Sequence, residues 1–426
     1  MSRNINKYED NRGKLLFMIK NNNFVSVEST VSINKKNVFR GLHSNPFSKM
    51  ITCVQGSILD IIIDLNKCSE EYLVPQYFNL SAESNNSILV PANYAHGFLT
   101  LEENTILIYY FSDNFKEEET LHIHYQDPFI NIKLPNYNFI ISDKDNVTNF
   151  LKPVDYVIFG SKGYLGQHIT DILKNQGKNV VTLNQRLSNV SDIREKLTLY
   201  KPKYVINAAG ISDVDWCDSN KEETIETNLT YQLTLCHVCK ELNIHLTLFG
   251  TGGIFSSDGI HKEDESGDFY DNFYSESRIY LEKIVINYKN VLYLRINYPI
   301  SSCFNPKNLL VKIINFTKIS NCKISITCVD TLFPLLSHII ENYETGIINF
   351  VNPGIINLVD IKKQYNSMNK IDTPFETMDF NYRHPIVLDT LKLQKYNVLN
   401  INDSIIKILH KMTVLTTTPP IEFGLY

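Results

Sequence analysis

Residues 39–49 read FRGLHSNPFSK and bring Arg40, His43 and Lys49 into one short stretch. On a strand, Arg40 and Leu42 face one side while Gly41 and His43 face the other. A second histidine, His96, arrives in ANYAHGF just past a strand end. Tyr109 and Tyr110 follow on the next strand, where alternation turns one of them toward a barrel interior. A histidine with a partner carboxylate, an aromatic hydroxyl and a cation suits proton abstraction next to a carbonyl. The base removes the proton, the cation steadies the enolate oxygen and the phenol returns a proton. On spacing alone, both histidines can equally be satisfied structural residues of a barrel.

A second stretch, FGSKGYLG from Phe159, is a G-x-x-G-x-x-G carried by Gly160, Gly163 and Gly166, with Tyr164 and Leu165 between the last two. It follows a predicted strand and opens a predicted helix, which is the context that gives the motif meaning. Its glycines let the backbone approach a pyrophosphate at a helix N-terminus, where unpaired N–H groups favour an anion. NAAG, Asn207, Ala208, Ala209 and Gly210, follows a later strand and would pass close to the same cofactor. The second strand ends TLNQR, with no carboxylate for a ribose 2′-hydroxyl; Arg186 can meet a 2′-phosphate there. That points to NADPH, with NADH as the alternative. In FYSESR, Tyr274 and Arg278 are four apart and share a helix face.

Two further strings have bland readings. His122 and His124 form an H-x-H that on a strand would aim both rings to one face, as metal-binding cupins do. The carboxylate and third histidine of such a site are missing, so no metal is assigned. Cys236 and Cys239 form a C-x-x-C without a second pair, inside a helical run, and read as core packing.

The elements that must carry these residues change character part-way along the chain. From about residue 14 to 135 short apolar or alternating runs (KLLFMIK, NVFRGLH, SILDIIIDL, SILVPANYAHGFLTL, TILIYYFS, LHIHYQD) are separated by Asn, Ser, Gly and Pro. That texture predicts an antiparallel barrel or jelly roll. From Val154, YVIFG, NVVTLN and YVINAAG alternate with the helical GQHITDILKNQGK and IREKLTLYKP, which predicts βαβ units on a parallel sheet. Two domains follow, 1–148 and 149–426.

The bulk numbers agree with two globular domains: 426 residues, 43% hydrophobic and 20% charged. A net charge of -5 gives no nucleic-acid footprint. The polar opening MSRNINKYED carries no secretory core, and apolar runs such as ILDIIIDL are strand-sized and hold Asp. Eight scattered cysteines do not form a disulfide framework. A soluble, reducing, cytoplasmic setting away from membranes is expected.

Residues 8–145 resemble the dTDP-4-dehydrorhamnose 3,5-epimerase family, a cupin jelly roll, through YEDNRGKLLF, KKNVFRGLH, the S-K-M turn, GSILDIIIDL, LVPANYAHGFLTL, IYYFSDNF, YQDP and ISDKD. The resemblance implies His43 as base, Asp145 as the carboxylate that orients it, Lys49 as enolate stabiliser and Tyr109 as acid on the opposite sugar face. It places Arg12 and Arg40 along the nucleotide sugar, with Arg12 at the diphosphate, and His96 on the pocket wall. Glu28 stands at a usual Gln position, and Asn114 and Phe115 replace a tyrosine pair, which leaves C3-only epimerisation open beside C3 and C5. Family members are dimers, so a homodimer through the cupin domain is implied.

Residues 154–400 resemble the extended short-chain dehydrogenases/reductases. Within them the likeness is to dTDP-4-dehydrorhamnose reductase and the plant UDP-4-keto-6-deoxyglucose epimerase/reductase, through VINAAG, VDWCDSNKEETIETN, TGGIF, FYSESR, NPKNLLVKI and YRHPIVLD. This implies Tyr274 as proton donor, Thr251 as its hydroxyl partner, Asn228 as a cofactor-side group, and Lys312 and Arg383 as nucleotide-sugar contacts. Arg278 stands where the family has Lys; it keeps the charge that favours phenolate but not the ability to relay a proton.

A 4-keto sugar unites the halves, since the ketone acidifies C3 and C5 and is itself reducible. The expectation is a bifunctional enzyme that epimerises a UDP- or dTDP-4-keto-6-deoxyhexose, with a 2-acetamido form open, and then reduces it to an L-rhamnose-type sugar nucleotide. An epimerase with an inactive reductase-like half, and a non-catalytic sensor of sugar nucleotide and NADPH, are the alternatives.

Overall fold

The structure is a computed structural model and describes all residues except 1, 5, 12, 18–23, 67–68, 85, 136–137, 147–148, 185–188, 372–373, 379–384 and 418–426. The chain divides into two compact units, Met1–Lys152 and Pro153–Tyr426. Residues beyond 148 stay with the first unit because Asn149 O accepts from His124 N and Leu151 N donates to Asp127.

The named strands of the first unit pair antiparallel, with single parallel bridges at Val38↔Ile140 and Asp64↔Tyr72. Its strands are β1 (Ser2–Asn4), β2 (Asn6–Asp10), β3 (Gly13–Phe17), β4 (Glu28–Asn34), β5 (Phe39–Ser44), β6 (Lys49–Gln55), β7 (Ser57–Asp64), β8 (Pro75–Ser81), β9 (Asn86–Val90), β10 (Tyr94–Thr100), β11 (Thr105–Phe111) and β12 (Leu121–His122). Two five-stranded sheets, β1-β9-β6-β11-β4 and β12-β5-β10-β7-β8, form the jelly roll, and β2 pairs with β3 as a hairpin. Alternation along β7 separates the layers. Ile58 and Ile62 join Ile51, Phe98 and Leu107 in the inner core, while Ile61 and Ile63 join Phe39, Leu42 and Leu99 under the covering residues Ile123 and Ile130. Burial on both faces explains why this strand reads as a continuous apolar run.

One irregularity sets the first site. β10 pairs His96 with His43 and Phe98 with Arg40, so two residues of β5 oppose Gly97 alone. The bulge corrects the expected alternation, because Arg40 and His43 now share the face of Phe98 and His96, and Leu42 packs on the other. Only glycine fits at its centre: Gly41 has φ +131, and a Cβ there would lie 2.6 Å from Gly97 Cα.

The second unit carries a parallel sheet of β13 (Tyr156–Phe159), β14 (Val180–Leu183), β15 (Tyr204–Asn207), β16 (His245–Thr251), β18 (Val291–Ile296) and β21 (Gly346–Asn349), in the order β14-β13-β15-β16-β18-β21. The short strands β17 (Ile260–His261), β19 (Lys318–Ser320) and β20 (Lys323–Ile324) lie outside it. After α1 (Asp143–Asn146) of the first unit, the helices used below are α2 (Tyr164–Asn175), α3 (Val190–Tyr200), α4 (Val214–Ser219), α5 (Lys221–Ile225), α6 (Tyr231–Glu241), α7 (Phe273–Val285) and α8 (Leu309–Asn315). Strand order reverses at β13, where β14 lies on one side and β15 on the other, and a crevice opens there at the carboxyl ends of the strands. Cys236 and Cys239 are buried on α6, where burial pushes both thiols up. No helix among the described residues is long and apolar enough to cross a membrane.

Candidate functional site

In the first unit, β5 and α1 bring together residues 102 positions apart. His43 Nε2 lies 2.7 Å from Asp145 Oδ1. Burial alone would raise the Asp145 carboxyl, but bonds from His43, the Gly41 backbone and Ser142 outweigh it and hold the group low. The ionised carboxylate therefore accepts the hydrogen bond of the Nε2–H and leaves the lone pair on the other ring nitrogen of His43, whose side chain keeps 31% exposure.

Lys49, Ile51 and Cys53 alternate with the outward residues of β6, and the pairing Lys49↔Phe111 and Ile51↔Tyr109 puts Lys49 and Tyr109 on the inner face. Burial drives the Lys49 ammonium down to about 8 against the attraction of Asp60, and its Nζ donates to Asn45 Oδ1 at 3.0 Å. Burial likewise pushes the Tyr109 hydroxyl up while Ser32 bonds it. His96 is buried with Asp60 at 2.7 Å, and desolvation keeps it neutral. Arg40 Nε donates to Asn34 Oδ1 at 2.9 Å. Glu28 Oε2 accepts from the Phe115 backbone N–H, which ties together two of the positions that depart from the resemblance. Arg12 lies outside the described residues.

The H-x-H reading is corrected. The chain leaves β5 after Ile123, where His124 N turns to Asn149 O, and the two rings part. His122 stands edge-on to His43 with centroids 4.7 Å apart, whereas His124 stacks on Tyr125 and spends both nitrogens on Asn146 O and Gln126 N.

In the second unit a cavity of about 440 Å³ runs along the crevice. Gly163, Tyr164, Leu165, Asn207, Ala208, Ala209, Gly210, Thr251, Tyr274, Arg278 and Lys312 all line it. Gly160 and Gly166 lie beneath. A Cβ on Gly160, at φ +73, would come 2.5 Å from Ala209 N, and one on Gly166 would come 2.2 Å from Gly160 O. Gly163 caps α2 without a side-chain bond, so the first-turn N–H groups remain open to an anion.

α7 starts under tight control, with Asn272 capping Ser275 N and Ser275 Oγ bonding Gly253 O, and this fixes Tyr274 beside Thr251 in the cavity wall. The Arg278 guanidinium sits 5.6 Å from the centre of the Tyr274 ring. Its protein bonds are long, 3.5 Å to Phe249 O and 3.4 Å to Asn228 Oδ1, and its buried Nε has no partner among the described residues. Asn228 is buried, clamps the Ile211 backbone through both amide atoms at 2.9 Å, and does not line the cavity. Arg186 and Arg383 lie outside the described residues. Lys307, inside the string NPKNLLVKI, and Tyr298 also line the cavity, and sequence reasoning singled out neither.

Comparison with known proteins gives both halves a family. Residues 4–153 match the family described as dTDP-4-dehydrorhamnose 3,5-epimerase, and residues 156–306 match the NAD dependent epimerase/dehydratase family. An Arabidopsis thaliana protein named bifunctional dTDP-4-dehydrorhamnose 3,5-epimerase/dTDP-4-dehydrorhamnose reductase is 34% identical over 238 residues, 53% of this chain and 78% of that one. The chain belongs to the bifunctional dTDP-4-dehydrorhamnose 3,5-epimerase/reductase family. Like that family it is an isomerase and an oxidoreductase, takes a nucleotide sugar and uses a nicotinamide cofactor.

Two further relatives of this epimerase/reductase carry other nucleotide names. A trifunctional Arabidopsis UDP-glucose 4,6-dehydratase/UDP-4-keto-6-deoxy-D-glucose 3,5-epimerase/UDP-4-keto-L-rhamnose-reductase is 32% identical over 282 residues; the match covers 60% of this chain and 42% of that protein. The crystal structure of the L780 UDP-rhamnose synthase of Acanthamoeba polyphaga mimivirus superposes with a TM-score of 0.59 at 27% identity, covering 61% of this chain and 100% of that chain.

Proposed function

We propose that this chain converts UDP-4-keto-6-deoxy-D-glucose to UDP-L-rhamnose, epimerising C3 and C5 in the first unit and reducing C4 with NADPH in the second. His43, held by Asp145, takes the proton next to the ketone. The electron pair passes to the C4 oxygen beside the Lys49 ammonium, and Tyr109 returns a proton on the opposite face. Arg40, His96 and Glu28 line the sugar nucleotide, with Arg12 at the diphosphate. In the second unit the nicotinamide supplies hydride. Tyr274, assisted by Thr251 and Arg278, gives the proton to the C4 oxygen, and Lys312 and Arg383 hold the nucleotide sugar.

The observation that carries the reading is that each unit assembles its own acid–base set: the 2.7 Å His43–Asp145 bond with Lys49 on the same inner face, and Tyr274 beneath Arg278 in the crevice. UDP is favoured over dTDP by the names of the trifunctional and mimivirus relatives. NADPH is favoured because the residue after β14 is the uncharged Asn184, which takes the Ser161 hydroxyl, where a carboxylate would select NADH.

A homodimer through the cupin unit fits β4, an edge strand whose inner face is polar and whose outer face exposes Val31 and Ile33. The seven described cysteines are unpaired, which fits a reducing cytoplasmic setting.

The test is proton NMR in D2O with UDP-4-keto-6-deoxyglucose, with and without NADPH. Deuterium at C3 and C5, and a new 4-hydroxy sugar only with NADPH, is the expected result. Exchange at C3 alone restricts the first step. Exchange without reduction at any nicotinamide concentration overturns the second, and silence with UDP, dTDP and 2-acetamido substrates overturns both.

A further inference from the structure

His122 lies outside the proposed chemistry, yet it is bonded like a ligand waiting for a metal. Its Nε2 lies 2.9 Å from Glu117 Oε1, so the Nε2–H donates to the exposed carboxylate. The lone pair is then on Nδ1, which is buried and without a partner among the described residues. A carboxylate behind one imidazole nitrogen, with the other nitrogen free, is how proteins orient metal-binding histidines.

The neighbours complete a set. One potential ligand atom from each of His43, His122 and Asp145 lies within 4.8 Å of the other two. Two imidazoles and one carboxylate with a fourth position open suit a borderline cation such as Zn²⁺ or Co²⁺ better than Mg²⁺ or Ca²⁺, which take oxygen donors. Metal–nitrogen bonds near 2.1 Å in a tetrahedron put ligand atoms about 3.4 Å apart. The trio must draw in, and the 2.7 Å contact between His43 and Asp145 must open to admit an ion.

We propose that a borderline divalent cation of the Zn²⁺ class binds His43, His122 and Asp145 and, by parting His43 from Asp145, switches the first site off. Binding stands on the geometry alone, whereas the switching rests on His43 being the base.

The experiment uses the full chain stripped of metal, titrated with Co²⁺ and followed by its d–d absorption, beside His122→Phe and Glu117→Gln. Phenylalanine keeps a ring edge against His43 and removes both nitrogens. Glu117→Gln alters an exposed position that threatens folding little. The expected result is one Co²⁺ whose affinity drops about 100-fold or more in His122→Phe and about 10-fold in Glu117→Gln, the lower end for losing an outer partner. Zn²⁺ should stop deuterium exchange in the wild type and a chelator should restore it. In His122→Phe, exchange should persist at the Zn²⁺ concentration that silences the wild type, each variant being compared with its own zinc-free rate. Equal Co²⁺ affinity in the wild type and both variants overturns the site. Saturation with Zn²⁺ while exchange continues overturns the switch. A wild type that never exchanges refutes His43 as base and the switch with it, and the Co²⁺ titration still decides the site.

Discussion

Raising the pH should silence epimerisation while leaving the fold firmer, and Lys49 is the reason. Its side chain is buried on the inner face of the barrel, where desolvation brings its pKa from 10.5 to about 8 despite the pull of Asp60. The difference of 2.5 corresponds to about 3 kcal/mol of net burial cost. Below about pH 8 both the folded and unfolded chains hold this proton and the folded state bears the whole cost. Between about 8 and 10.5 the unfolded chain holds more of it, so stability from this group rises with pH, by about 2 kcal/mol at pH 9.5. Across the same window the ammonium proposed to steady the enolate disappears. Exchange should therefore fall roughly tenfold per pH unit above about 8. His96, kept neutral by burial, and Tyr109, whose hydroxyl burial pushes up, do not titrate there. The assay is the initial rate of deuterium incorporation from pH 6.5 to 9.5, with urea unfolding at each pH. Lys49→Arg carries a charge that does not leave, so its lower rate should be flat above pH 8. A wild-type rate that stays flat to pH 9.5, or a falling limb that survives in Lys49→Arg, refutes the reasoning.

Three other outcomes are expected. Tyr274→Phe should lower NADPH oxidation by about 10²–10⁴-fold while deuterium exchange at the first site continues unchanged. Asp145→Asn removes the carboxylate that holds the His43 proton and should cost exchange by a similar factor of about 10²–10⁴; NADPH oxidation with substrate that is already epimerised should be untouched. Gly160→Ala sets a Cβ against Ala209 N at a positive φ and should weaken cofactor binding, read by NADPH fluorescence, together with a stability loss of about 1–3 kcal/mol in urea unfolding.

Period and punctuation made both architectures legible: alternating runs before residue 135 became the two sheets, and the strand–glycine–helix at Phe159 became the crevice. What escaped depends on contacts that no short string contains. Arg40 and His43 share a face only because Gly41 meets Gly97, a packing event between strands far apart in sequence. The H-x-H predicted rings on one face, but the pairing with β5 ends at Ile123, whose N–H and C=O both bond Leu42, and His124 N turns away to Asn149 O, where alternation has no force. Asp145 could be joined to His43 only by resemblance, since nothing in spacing links positions that far apart. Asn228, a cofactor-side group by resemblance, clamps the Ile211 backbone and meets Arg278 Nη2 from the helical turn Glu226–Thr230, contacts that no spacing announces.

Two buried arginines in the second unit show how to weigh the replacement of lysine at position 278. Arg295 is fully buried, pairs with both Glu282 oxygens and donates to Lys262 O and Glu265 O at 2.5–2.9 Å. That is a guanidinium consumed by the fold. Arg278, 6% exposed, makes two long bonds among the described residues, at 3.4 and 3.5 Å, and its Nε has no partner among them. A buried cation so poorly bonded costs several kcal/mol unless something else satisfies it. The crevice is where a ligand would do so: Arg278 lines the cavity beside Tyr274 and against Gly210, where a Cβ would meet its Nη2 at 2.7 Å. An arginine held ready for a ligand fits a working reductase, and reduction gives the epimerase its direction. Removing the C4 ketone takes away the acidity at C3 and C5, so a sugar reduced in the second unit is no longer a substrate for His43.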